Sequence, residues 1–384
     1  MSESVEFTPI VFPPRVLARI SPELSLQRHL SLGVRPCLRA FEEFREVETS
    51  DGNLSRYSPK CNNTNSNNIL GSNVLKSGST IVITSITGGI VEDTLSSNEL
   101  QEDDGFEPKE SSMGTYDKSD FATVYPVVDI ERGRVGLPTD EEMIISQMLH
   151  DDIRSSGIIP KKALEVICGI RTTDRDGKPA ILYPDSDDME SADLIKILSY
   201  KQTRKWNYCL YAKIKVFSRD GPLYELCWNS LMYALQTVQL PRAFVDERAT
   251  DLKIPVRTRG RTATIRETYD LLCDPDQSVQ LSLNKSNIAY ASRCGVIDVD
   301  PDVQLPEDDD QMELDRQNTI LVADLQGEAE ETSITSTISV ITDADGSFKS
   351  VTLIGGTSNV SPEIIKSAFR LAKKRSQDLA SKIL

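Results

Sequence analysis

The chain has 384 residues, 39 % of them hydrophobic, and a formal net charge of −16. That length suits a large domain or two domains with ample core, and the composition excludes a wholly disordered chain. No run reaches the ~18 apolar residues needed to span a bilayer; the densest, Ile81–Val91, is broken by Gly88-Gly89.

Seven cysteines without a C-x-x-C pair point to reduced thiols in an intracellular protein, not to a zinc site or disulfide framework. Histidine chemistry is poorly supported by His29 and His150 alone, so no metal and no cofactor is expected. The first residues carry Glu3 and Glu6 where a signal peptide would be basic and then apolar. The acidity is local. Segments 91–120, 184–193 and 298–316 carry −8, −5 and −8, which leaves about +5 for the rest. These are expected to be solvated insertions, and the overall charge does not exclude a nucleic-acid partner.

In chain order, residues 14–30 read as helical, with a second start at Ser21-Pro22-Glu23. Gly33–Glu48 leads into an expected strand from Phe41, and the Asn-rich Thr49–Asn68 reads as a hairpin tip or disordered loop. Asn68–Ile90 reads as two strands joined at Ser77-Gly78. Val124–Ile130 is strand-like. Thr139-Asp140-Glu141-Glu142 then caps a helix to about Arg154, with Met143, Ile144, Met148 and Ile153 expected near one face. Strands are expected at Ala163–Gly169 and Lys205–Phe217.

Asp220–Pro241 reads as a central core helix. Gly221 and Pro222 suit a helix start, and Leu223, Cys227, Leu231, Leu235 and Val238 form an apolar stripe. Its first turn lies where a helix can hold a phosphate, yet it offers no cation. Beyond it, Arg257, Arg259 and Arg261 would share one face of an extended segment. That stripe suits a solvated strand edge or a set of ion pairs with a neighbouring subunit, or else nucleic-acid phosphate contact. The last third reads as strands at Val279–Asn284, Asn287–Val296, Thr319–Asp324, Ser333–Thr342 and Phe348–Ile354, then a helix from Ser361-Pro362. Strands followed by a helix thus occur twice, which indicates an α+β chain of two similar halves.

Four stretches in this order resemble the RNase PH family, in particular the RNase PH-like ring subunits of the RNA exosome. They are GVRPCLR at Gly33–Arg39, GSNVLKSGSTIVITSITGGI at Gly71–Ile90, DGPLYELCWNSLMYALQTVQLP at Asp220–Pro241, and Ala323–Leu379. The resemblance implies an RNase PH-like fold of two β/α halves (ribosomal protein S5 domain 2-like) with acidic loop insertions. The expected divisions are a helical extension over 1–32, a first half over 33–245 with insertions at 91–120 and 184–205, and a second half over 246–384 with an insertion at 298–318.

Active members of that family cleave the 3′ end of RNA with inorganic phosphate, which needs a cationic cradle and an acid near the leaving oxygen. The family's Gly-Gly-(Thr/Ser)-Arg cradle corresponds here to Gly221, Pro222, Leu223 and Tyr224, so the hydroxyl and the arginine are replaced by Leu223 and Tyr224. Of the family's acid pair, Asp324 matches the first and Thr332 stands at the second, with Glu330 or Glu331 as substitutes. These acids are otherwise expected to form a solvated loop. On the helix Glu141–Arg154, Gln147 and Asp151 stand where basic residues reach a neighbour's active site in archaeal relatives. Arg132 and Arg134 are candidates for RNA contact, or equally loop or interface charges.

The resemblance therefore implies a non-catalytic ring subunit supporting 3′→5′ RNA processing and decay, ribosomal RNA maturation included, in nucleus, nucleolus and cytoplasm. Implied partners are five other RNase PH-like subunits, three S1/KH cap subunits, an RNase II-like catalytic subunit and RNA in the channel; no membrane is implied. The alternatives are an active phosphorolytic exoribonuclease using displaced residues and a stand-alone RNA-binding module, the latter lacking an aromatic platform beside the arginine stripe.

Overall fold

The computed structural model describes residues 12–30, 32–58, 68–93, 121–133, 136–173, 179–185, 205–245, 251–252, 267–268, 271–298 and 319–382. In order these form α1 (Pro14–Ile20), α2 (Pro22–Leu30), β1 (Val47–Ser50), β2 (Ile69–Ser77), β3 (Thr80–Asp93), β4 (Tyr125–Ile130) and α3 (Asp140–Ser156). Then come β5 (Cys168–Thr173), β6 (Pro179–Leu182), β7 (Lys205–Phe217), α4 (Tyr224–Gln236), β8 (Gln239–Val245), β9 (Asp251–Leu252), β10 (Glu267–Thr268) and β11 (Leu271–Gln280). The chain finishes with β12 (Ala289–Asp298), β13 (Thr319–Ala323), α5 (Gly327–Ser333), β14 (Ser336–Asp343), β15 (Phe348–Ile354) and α6 (Pro362–Ser381).

Three sheets carry the fold. The first runs β1-β2-β3-β7-β4, antiparallel except where β4 lies parallel to β7. The second runs β11-β8-β5-β6, and the third, all antiparallel, β13-β12-β14-β15. A β–α pattern therefore recurs, with α4 against the first sheet and α6 against the third. The expected α+β architecture holds.

The central helix departs from the amphipathic reading. Every residue from Tyr224 to Leu235 is buried, because α4 lies between the first sheet and β12 of the third. Its polar residues face protein and must find partners there. Strand β13 pairs with β12 only from Cys294 onward, so the first half of β12 has an open edge on that side. Helix α4 fills it with side chains. Trp228 Nε1 donates to Ala289 O (2.9 Å), Asn229 Nδ2 donates to Ala291 O (3.0 Å), and Ala291 N donates to Asn229 Oδ1 (2.8 Å). One carboxamide thus replaces a residue of a missing strand.

Two further cores flank this junction. Ile364, Ala368, Leu371 and Ala372 of α6 pack on Cys294, Val296, Ile338 and Val340. On the opposite face of that sheet, Leu26 and Leu30 of α2 pack on Ile297, Val322, Leu325 and Ile334. The N-terminal helices are thus docked on the second half.

Several boundaries differ from expectation. The strand expected from Phe41 starts at Val47, since 36–42 are taken up by turns. The segment at Ala163 is a short 3-10 turn over Lys161–Leu164, and β5 begins four residues after it. The strand expected at Val279–Asn284 is β11, which ends at Gln280. Ser333 ends a helix instead of starting a strand. Helix α4 starts at Tyr224, with Gly221 held at φ +85° outside it, and Pro241 lies within β8. On α3 the buried face is Glu142, Ile145, Leu149 and Ile153, whereas Met143, Ile144 and Met148 are exposed. Glu142 turns inward because its carboxylate accepts from the backbone N–H of Thr139 (2.5 Å) and of Ile130 (2.8 Å), which closes a capping box and satisfies β4. The acidic insertions fall mainly in 94–120, 186–204 and 299–318, outside the described residues.

Replacing Asn229 by Leu preserves volume but strands the buried N–H and C=O of Ala291. At about 1–3 kcal/mol for each orphaned group, the loss should total roughly 2–5 kcal/mol by urea unfolding, and an unchanged midpoint would refute the role given to Asn229.

Candidate functional site

The approach to α4 and the loop after β13 meet face to face. A Cβ on Gly221 would lie 2.3 Å from Leu325 O, so only glycine fits, and its left-handed φ makes the same demand. Beside it, the Asp220 carboxylate accepts from Gly327 N (2.9 Å) and Gln326 Nε2 (2.7 Å). The positions of the cradle and of the first acid are therefore brought together, as the motifs imply.

What surrounds them differs from an open site. Asp324 sits in a left-handed conformation (φ +50°), which Asp tolerates better than most residues. Its Oδ1 accepts from Arg45 Nη2 (2.7 Å). Its Oδ2 accepts from Arg45 Nε (2.8 Å), Arg45 N (2.9 Å) and Arg39 Nη1 (3.3 Å). Four donors thus hold this carboxylate, three of them on Oδ2. Burial opposes its charge, but the Arg45 fork, the Arg45 backbone N–H and the nearby Arg39 together hold the Asp324 pKa below the ordinary aspartate value.

Glu330 is engaged as fully. It accepts from Arg35 Nε (2.9 Å), Arg35 Nη2 (2.6 Å) and Gln326 N (2.9 Å). The Arg35 and Glu330 side chains are 1 % and 0 % exposed. Arg35 also donates to Ala323 O (2.8 Å) and Asp324 O (3.0 Å), and Arg375 of α6 donates to Arg45 O (2.7 Å) while covering the Phe44 ring. The expected solvated loop is thus corrected: two of its acids lie in buried ion pairs. Glu328 and Glu331 alone fit the expectation, pairing nearer the surface with Arg19 and Arg219.

Leu223 and Tyr224 belong to the hydrophobic core. The Tyr224 hydroxyl donates to Asp152 of α3 and its ring stacks on Trp228 at 6.4 Å. Burial and the Asp152 carboxylate push that phenol far up. The space left at the first turn is a cavity of about 30 Å³ lined by Pro222, Glu225, Asn229, Arg293 and Asp324 among others. That is about one water's share of liquid volume. Arg293 is itself engaged with Thr337 and Glu225.

The other singled-out residues scatter. Thr332 is exposed and returns its hydroxyl to Glu328 O. Gln147 and Asp151 hydrogen-bond each other on the solvent side of α3. Arg132 donates to Thr139 Oγ1 (3.1 Å) and pairs with Glu141 (3.7 Å), which also holds Arg219 (2.9 Å). Arg134, Arg257, Arg259 and Arg261 lie outside the described residues. Among the described residues no cluster of His, Cys, Asp or Glu could hold a metal ion. The residues that organise the site, Arg35, Arg39, Arg45 and Arg375, are not among the sequence candidates, although two of them stand within GVRPCLR.

Arg35→Met alone leaves the Glu330 charge stranded in a dry site and should cost about 3–5 kcal/mol; Arg35→Met with Glu330→Met should recover most of that loss in the same urea titration. The Asp324 contribution has a definite sign. Its folded-state pKa is lowered, so its stabilisation is fully present above the ordinary value of about 3.9 and is lost as pH falls through the lower folded-state value. Asp324→Asn should therefore lower stability at pH 7 and flatten its fall below about pH 4. An acid limb as steep as the unsubstituted chain's would refute this.

Comparisons place this geometry among known proteins. Residues 43–199 match the model of the 3′ exoribonuclease family, domain 1 (RNase PH). The exosome complex component rrp43 of Schizosaccharomyces pombe is 23 % identical over 298 residues, covering 75 % of this chain and 87 % of that protein. Among solved structures, a chain of the Archaeoglobus fulgidus exosome with RNA bound to the active site aligns with a TM-score of 0.53 at 13 % identity, covering 96 % of this chain and all of that one. A chain of an archaeal exosome core aligns with a TM-score of 0.51 at 13 % identity, covering 97 % and 99 %. These archaeal matches speak to the fold alone. Residues 43–199 are thus similar to RNase PH domain 1, the chain adopts the RNase PH fold, and it is similar to the exosome component rrp43 of S. pombe.

Proposed function

We propose that this chain is a non-catalytic, structural subunit of an RNA exosome ring. The observation that carries the reading is the fate of the phosphate-site positions. Leu223 and Tyr224 are packed in the core, and Asp324 is held by four donors from Arg45 and Arg39. Phosphorolysis needs a cationic pocket for phosphate and an acid free to act on the leaving oxygen. Neither is available at the first turn of α4.

In this role the chain supplies surfaces and shape. Its partners are five other RNase PH-like subunits, three S1/KH cap subunits and an RNase II-like nuclease, with RNA threading a channel to which Arg132, Arg134, Arg257, Arg259 and Arg261 contribute charge. The work supported is 3′→5′ trimming and decay of RNA, ribosomal RNA precursors included, in nucleus, nucleolus and cytoplasm. The similarity to rrp43 from S. pombe and to archaeal exosome chains supports membership of such an assembly.

Two measurements test the reading. The purified chain, given a 3′-labelled RNA and inorganic phosphate, should release no nucleoside diphosphate above the no-enzyme control; phosphate-dependent shortening would overturn the non-catalytic assignment. Native mass spectrometry of the assembly isolated through this chain should show five other RNase PH-like proteins, whereas a lone monomer would count against a ring.

A further inference from the structure

A cavity of about 710 Å³ lies at the opposite end of α4 from the first-turn site. A 13-residue helix separates the two by ~20 Å. The cavity opens between the two halves. Asp51 and Asn73 come from the first, and Gln280, Lys285, Tyr290 and Ala380 from the second and its closing helix. This volume falls within the range of ligand sites, which are common at such junctions.

Its fixed charge is mostly of one sign. Gln236 donates one amide N–H to Met232 O (3.1 Å), and Gln280 donates one to Gln236 O (3.2 Å). Both partners only accept, so the amide orientations are fixed, and each amide keeps its carbonyl oxygen and a second N–H. Asn73 donates one N–H to Ser230 Oγ (3.3 Å), which leaves its Oδ1 and second N–H. On Asp51, Oδ1 takes the Ser72 hydroxyl (3.3 Å). The Tyr290 hydroxyl, on a residue 2 % exposed, lies near Gln236 and Tyr233 but has no hydrogen bond of normal geometry.

The backbone adds the same sign. Both α4 and α6 end at this cavity, with Gln236 and Ala380 in its wall, and neither has a basic residue in its last turn. Each helix C-terminus carries a partial negative charge. Against these acceptors the lining offers one cation, Lys285, which is exposed at the lip. An anion would meet carbonyl oxygens and a carboxylate, so phosphate-bearing ligands are disfavoured.

We propose that this inter-half cavity binds an organic cation, an ammonium or guanidinium group, with Asp51 as counter-charge and Gln236, Gln280, Asn73 and Tyr290 as acceptors. The same chemistry can come from a free polyamine or from a lysine or arginine side chain presented by a protein segment. The site does not depend on the ring assignment.

The test is isothermal titration calorimetry on the full chain with three probes: spermidine, a neutral-capped peptide carrying a single arginine, and inorganic phosphate. At least one cationic probe should bind with one-site stoichiometry, and phosphate should not. Binding of spermidine alone assigns a polyamine source; binding of the peptide assigns a side-chain source. Asp51→Asn should weaken that binding tenfold or more, and Gln280→Ala, at an exposed position that need not disturb folding, severalfold. Lys285→Ala should strengthen it. Absence of binding by both cations, binding of phosphate, or cation binding unchanged in Gln280→Ala and Asp51→Asn would each overturn the proposal.

Discussion

A helix enclosed on all sides cannot place its polar groups in water, and α4 meets that constraint by hydrogen-bonding to a sheet. The carboxamide of Asn229 and the indole N–H of Trp228 take up the half of β12 that β13 does not reach. Because α4 follows the first sheet and β12 belongs to the third, these bonds join the two halves through buried polar contacts whose loss would be costly. The neighbouring features follow from that placement. Gly221 must admit Leu325 O, Leu223 and Tyr224 must be apolar or partnered, and the β13–α5 loop is pressed against the helix's first turn.

The same compression explains the arginine cluster. Asp324 on the loop after β13 and Glu330 on α5 are both driven into low dielectric, where unpaired carboxylates would be severely destabilising. Three arginines from Arg35 to Arg45 compensate them, in fork geometries that lysine could not supply. A site that binds RNA and phosphate needs charges left uncompensated until substrate arrives. Here the acids are compensated internally, by arginines of the same chain.

Much of this was legible in the residues, for identifiable reasons. Strands β3 and β15 stand out because they are rich in β-branched residues, and α6 because Ser361-Pro362 marks its start. The absence of a hydroxyl and a cation at Leu223 and Tyr224 is readable from side-chain chemistry alone. The surroundings of Asp324 were not readable. A string of acids looks the same in sequence whether water or an arginine nearly three hundred residues away satisfies it, and local charge density favours water. The face of α3 failed for a related reason: Glu142 displaces Met143 from the interior because its carboxylate is needed by two backbone N–H groups. Periodicity counts apolar residues and is blind to such demands.

The N-terminal helices and the arginines that follow them have a consequence in time. Leu26 and Leu30 pack on Val322 and Ile334, and Arg35 and Arg45 answer acids 295 and 279 positions further on. A ribosome releases a chain from the N-terminal side, so these residues emerge well before their partners. Until residues 322–334 are made, Leu26, Leu30, Arg35 and Arg45 have none of these groups to bury or pair them. Closure of so long a loop is slow, and a nascent chain of this design has reason to depend on early shielding by a chaperone or by a subunit made alongside it.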